Sequence, residues 1–313
     1  MLGDATTGTI SGANYNVGLG VDVFAALTSG DGNVAVGFAA LTANTTGTDN
    51  VAIGRSSMAA ATTADQTISI GHIAGTALTT GDYNTFIGGG AGTATTTASS
   101  NVAIGNGSFY GNTTGASNTA VGTNSLGANT TGADNTAVGK DAMLANTTAG
   151  SNTAVGKSAL ASCTTGHSNA SLGTDAGFGI TTGVQNISIG QGAGRTRTTG
   201  DGNVAIGEQS SYPATTGDSN TAVGFLSMRT LTTGGGNTCV GTSAMYAITE
   251  GGNNTTMGAS AGGSITTGSN NTCLGHATGN AGQPGGAITT GSNQITIGDS
   301  SSANAHIQID WTV

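Results

Sequence analysis

Asn118-Thr-Ala-Val-Gly122, Asn135-Thr-Ala-Val-Gly139 and Asn152-Thr-Ala-Val-Gly156 are one phrase written three times at a spacing of 17 residues. Outward from there, the closing glycine recurs at the same spacing from Gly20 to Gly275, sixteen times in register. A further copy, Gln294-Ile-Thr-Ile-Gly298, follows after 23 residues. A short period held this strictly predicts a solenoid, in which each repeat is one coil that buries nothing until it stacks on its neighbours. The expected fold is all-β: a parallel β-solenoid (β-helix or β-roll) of about seventeen 17-residue coils. An N-terminal lead-in over 1–15 precedes the repeat shaft over 16–298, which carries a loop insertion at 280–288. A C-terminal strand or junction over 299–313 ends the chain.

With Asn as position 1 and the closing Gly as position 5, the coil reads position by position. Position 4 is aliphatic or Met in every copy, as at Val121, Val138 and Val155, and position 2 is Val, Ile, Ala or Thr. Position 3 is mostly Ala, Ser or Cys. Alternation makes positions 1–4 a short strand with 2 and 4 on one face and 3 on the other. Glycine at position 5, as at Gly122, Gly139 and Gly156, fits a sharp turn or a close backbone approach. Position 8 is small and position 9 is Leu, Met, Phe or Gly, which predicts a second short strand. A Thr-Thr-Gly corner follows, with Thr at position 13 in every coil, including Thr130, Thr147 and Thr164. Stacking puts like on like, so Asn118, Asn135 and Asn152 are expected to form an amide ladder and the position-13 threonines a second one.

Both faces of the strand are apolar or small, so it is expected to be sandwiched. One face fills the coil and the other, with small position 3, packs on further copies of the chain, most simply as a homotrimer. The alternative is a single-chain solenoid whose outer wall carries Ala and Ser.

A net charge of −9 with six Lys+Arg leaves no basic stripe, so neither nucleic acid nor an anionic membrane is an expected partner. No stretch approaches eighteen apolar residues, and Met1-Leu-Gly-Asp4 lacks the marks of a secretory signal. Cys239 and Cys273 share a coil position two coils apart, roughly 9–10 Å at the strand spacing, too far for a disulfide. With Cys163 they read as small buried residues. Asp141, Asp175 and Glu208 occur singly after the Gly turn and read as solvated surface. His72 and His276 share position 6 twelve coils apart, while His167 and His306 are isolated. No cofactor and no catalytic set is expected, with a metal across a trimer axis at His306 as a minor alternative. Sequons stand at Asn44, Asn112, Asn129, Asn146, Asn169, Asn186, Asn253, Asn254 and Asn270. Those at position 12 (Asn44, Asn112, Asn129 and Asn146) are expected to be the accessible candidates for glycosylation.

The phrase Asn-Thr-Ala-Val-Gly-x-x-Ala-Leu followed by Asn-Thr-Thr-Gly, seen at Asn135–Leu160 and throughout 16–298, resembles repeats of phage tail fibres. It is also similar to the shorter-period head repeats of trimeric autotransporter adhesins, which build a trimeric β-roll. The stretch Asn293-Gln-Ile-Thr-Ile-Gly-Asp-Ser-Ser301, running on to Ile307-Gln-Ile-Asp-Trp-Thr-Val313, looks like the segment before an autoproteolytic intramolecular chaperone in tail fibres. The resemblance implies a trimeric fibre shaft on a virion or cell surface, with a host glycan or receptor as its target. A bacterial adhesin or self-stacking extracellular filament is the alternative, and ice binding by threonine ladders a remote one.

Overall fold

The computed structural model describes residues 12–212, 214–283, 285–299 and 301. Seventeen three-residue strands are the regular elements among them, one per repeat, and no helix occurs among the described residues. The fold is the expected all-β, parallel β-solenoid. Pro284, His306 and the 307–313 stretch lie outside the described residues.

The chain divides after Thr182 into two compact units. In the first, ten strands from Val17–Leu19 to Ala170–Leu172 stack in sequence order. Each pairs in parallel with the strand 17 residues on, as Thr119↔Thr136 and Val121↔Val138 do. In the second, seven strands from Ile187–Ile189 to Ile295–Ile297 do the same. The last step there skips 23 residues, with Thr272 opposite Ile295. Despite the insertion, Ile288 is buried at the position-12 site of its coil and Thr289 accepts the bond from Thr266.

Backbone amides outside the strands also bond from coil to coil. Gly139 and Asp141 donate to the preceding coil at Val121 and Thr123, and Met143, Ala145 and Thr147 donate to the following coil at Ala159, Ala161 and Thr164. Position 5 shows why it must be glycine: a Cβ on Gly122, at φ +130, would lie 2.6 Å from the carbonyl of Gly139.

The structure corrects two expectations. The segment after the Gly turn is not a second strand. Positions 6–11 are turn residues, with left-handed φ at positions 7 and 9, as at Asp141 (57°) and Met143 (51°). A strand would send positions 8 and 9 to opposite sides; the left-handed steps turn both inward, so Ala142 and Met143 are both fully buried. The strand itself is also inverted relative to expectation. Position 3 faces the coil interior: Ala120, Ala137 and Ala154 are completely buried. Val121, Val138 and Val155 at position 4 point outward and are half-buried. The reason is steric. A 17-residue coil is narrow, and the large side chains at positions 9 and 12 leave room only for a small residue across from them, so the branched side chains go outside.

Candidate functional site

The chain's polar ladders run inside the coil. Asn118 Oδ1 accepts from the backbone N–H of Asn135 at 3.0 Å and from its Nδ2 at 3.1 Å. Asn135 Oδ1 accepts in turn from the N–H and Nδ2 of Asn152. The Asn135 Nδ2 also donates to Ala149 O at 2.8 Å. Thr67 takes the same place in its coil: it donates its N–H to Asn50 and its Oγ1 accepts from the Asn84 N–H. Along the corner, Thr130 Oγ1 donates to Thr147 O at 2.9 Å, Thr147 to Thr164 O and Thr164 to Thr181 O. These bonds satisfy buried amides that would otherwise be costly, and they tie register to side-chain identity.

The position-12 asparagines are not accessible. Asn44, Asn112, Asn129 and Asn146 are completely buried. Asn44 clasps Gly47 through both its N–H and its carbonyl, and Asn129 Nδ2 donates to Asn112 Oδ1 at 2.9 Å. Position 12 faces inward just before the Thr corner, so these sequons are interior hydrogen-bonding groups and not glycan acceptors.

Position 12 also holds the one fully buried guanidinium among the described residues. Arg197 Nη2 donates to Ser211 Oγ at 3.0 Å, whereas Nε and Nη1 find no protein partner. Burial pulls its pKa down to about 10 against the opposing pull of Asp218. Cys163 and Cys239 are buried thiols pushed up to about 11 and about 12 by desolvation, as their reading as small core residues implies. The remaining candidates are scattered. Asp141 lies 3.8 Å from Lys140 Nζ, His276 lies 3.6 Å from Asp299, and His72 Nε2 contacts Arg55 Nη2 at 2.6 Å. Among the described residues no three His, Cys, Asp or Glu side chains are grouped as metal ligands.

Two surface features can engage something else. The first is the outward face of the strands. In the first unit it presents Val17 and Leu19, 58 % and 48 % exposed, through Ile53, Ile68 and Ile104 to Leu172. In the second it presents Ile187, Ile189, Val240 and Met257 through Ile295 and Ile297. In the first unit alone this strip is about 43 Å long and about 7 Å wide at ordinary strand spacing. The second feature is a groove of about 710 Å³ on the first unit, lined by His72, Gly89, Asn106, Tyr110, Asn124 and Leu144 among others. It uses coil positions 6, 7, 10 and 11, none of which belongs to the strand.

No protein-family model, curated protein or solved structure matches this chain. Function therefore has to be read from these two surfaces. Sequence reasoning missed the groove, although its signal was present in the run Gly88-Gly89-Gly90, which exceeds the one glycine the coil requires.

Proposed function

We propose that this chain is the shaft of a fibre, of the phage tail-fibre kind or a comparable surface appendage. Copies of the chain pack through the outward faces of their strands, most simply as a homotrimer. The shaft holds an attachment element away from its base, on a virion or at a cell surface.

The observation that carries this reading is the ladder of outward Val, Ile, Leu and Thr at positions 2 and 4. Contiguous apolar strips on the order of several hundred Å² are uncommon on isolated soluble chains and mark interaction surfaces. A face of stacked strands offers identical side chains at every step, which suits a partner with the same repeat. Positions 2 and 4 thus take the interchain role expected of position 3.

Native mass by multi-angle light scattering tests the proposal. The expected species is near 90 kDa, about three times the 29.8 kDa chain. Ile53→Asp combined with Ile104→Asp should then shift the species to a monomer while the unfolding transition survives, because both side chains point away from the core. A 29.8 kDa monomer in the unmodified chain would overturn the shaft reading. A polydisperse high mass would replace the trimer with a self-stacking filament.

A further inference from the structure

Gly89 has no backbone reason to be glycine. Unlike Gly88, at φ +137, it does not lie in the left-handed region, and a Cβ there would meet only the end of the Asn106 side chain, at 3.1 Å. Other coils place Arg55, His72, Lys140 or Gln191 at this same position 6. With Gly90, Gly107 and Gly127, the missing side chains leave the 710 Å³ groove open along several successive coils.

What stands in the groove is specific. Tyr110 is 53 % exposed, with one edge of its ring beside Gly90, whose added Cβ would lie 3.6 Å from Cδ2. Tyr212, at the same coil position in the second unit, has its ring flanked by Arg229 at 4.4 Å and Arg195 at 5.8 Å; Tyr110 has no such cover. Asn124 is oriented by donating Nδ2 to Asp141 Oδ1 at 3.2 Å, which turns its Oδ1 toward Gly107, 2.9 Å from the Cβ position there. Arg55 can only donate, so its contact with His72 makes Nε2 the acceptor and puts the proton of a neutral ring on Nδ1. The Asn106 amide makes no side-chain hydrogen bond within the protein. The groove therefore combines an uncovered aromatic surface with planar amide groups on an axis that advances one coil at a time.

We propose that this groove is a lateral binding site for a neutral oligosaccharide chain. A sugar ring lays its C–H face on an electron-rich aromatic ring, while its adjacent hydroxyls match the paired donor and acceptor of a planar amide. A neutral chain fits because the groove offers no cluster of basic groups for an anionic one, and the molecule carries −9. The site rests on the surface-attachment part of the proposed function. It adds to that reading, because a shaft that only spaces two ends needs no groove.

The test uses the full chain and three probes, cellotetraose, maltotetraose and chitotetraose, by saturation-transfer NMR and calorimetry. At least one should bind, with affinity unchanged between low and high salt. Tyr110→Ala should weaken it about tenfold, the worth of one aromatic contact. Gly89→Gln, which installs the residue found at Gln191, should block the groove without lowering the unfolding midpoint. Thr123→Ala, also at position 6 and outside the groove, should leave binding intact. Failure of all three probes, or binding indifferent to both Tyr110→Ala and Gly89→Gln, overturns the proposal, as does selective occupancy of the groove by a peptide. Light scattering on the same sample separates the readings: a trimer that binds no probe removes the groove and keeps the shaft, whereas a monomer that binds keeps the groove and removes the shaft.

Discussion

Two coils of the first unit hold an aromatic ring of the same size from opposite walls. In the coil beginning at Asn16 the ring comes from position 9, Phe24, and position 3 is Gly18, whose Cβ would lie 3.2 Å from Phe24 Cδ2. In the coil beginning at Asn84 the ring comes from position 3, Phe86, and position 9 is Gly92, whose Cβ would lie 2.6 Å from Phe86 Cδ1. Both rings are buried. What the stack fixes is the filled volume of each coil and not which residue fills it, as close packing demands. The rule extends further: Ala137, Met143 and Asn146 share one interior, while Ser188, Gly194 and Arg197 share another.

The sharpest way to break this comparison is Gly92→Phe, which drives a second ring into Phe86. A loss of roughly 4 kcal/mol is expected, at the upper end for overpacking. The double change Phe86→Ala with Gly92→Phe rebuilds the arrangement of the first coil and should recover most of that loss. Position 9 already accepts Phe at φ 55° in Phe24 and 57° in Phe109. A double-mutant cycle in urea decides it, and additive losses would show that the two positions do not share one volume.

Met143→Ala empties position 9 where position 3 is already small, so nothing across the coil can compensate. About 3 kcal/mol should be lost, visible as a lower urea midpoint. Asn135→Ala removes the acceptor of two Asn152 donors and should cost about 2 kcal/mol. Asn135→Thr should cost less, because Thr67 shows that a hydroxyl at position 1 keeps the backbone bond, 3.2 Å to the Asn84 N–H.

The smallest effect, and one of opposite sign, is expected at Arg197. Arg197→Leu replaces a half-satisfied buried charge with apolar volume and should be neutral or stabilising by about 1 kcal/mol at neutral pH. The guanidinium pKa falls to about 10 on folding from its ordinary 12.5. The unfolded chain therefore holds the proton more tightly, and the unmodified protein gains stability as pH rises through about 10 toward 12.5. Over that range the advantage of the leucine variant should shrink, as followed by thermal melts against pH.

Much of this was legible in the sequence because the period is strict. The 17-residue register fixed strand pairing in advance, since Asn118, Asn135 and Asn152 could stack only like on like. The buried cysteines were readable from spacing alone. The candidate sites were less legible. An Asn before Thr-Thr has the same letters whether it faces water or the interior, so Asn44, Asn112, Asn129 and Asn146 were placed on the wrong side. The Tyr110 groove requires positions from several coils at once, and no single repeat displays it.

The sequence by itself determined that the chain coils with one strand per repeat, that Gly122 and its equivalents must be glycine, and that amide and hydroxyl ladders lock the stack. Period and residue chemistry are enough for those conclusions. Only the tertiary structure decided which strand face is inside. That choice follows from left-handed backbone steps at positions 7 and 9, which turn two consecutive side chains inward and fill the coil from the far wall. Alternation says that neighbouring side chains in a strand oppose each other. It does not say which of them meets the core, because that depends on the volume left by residues on the opposite side of the same turn.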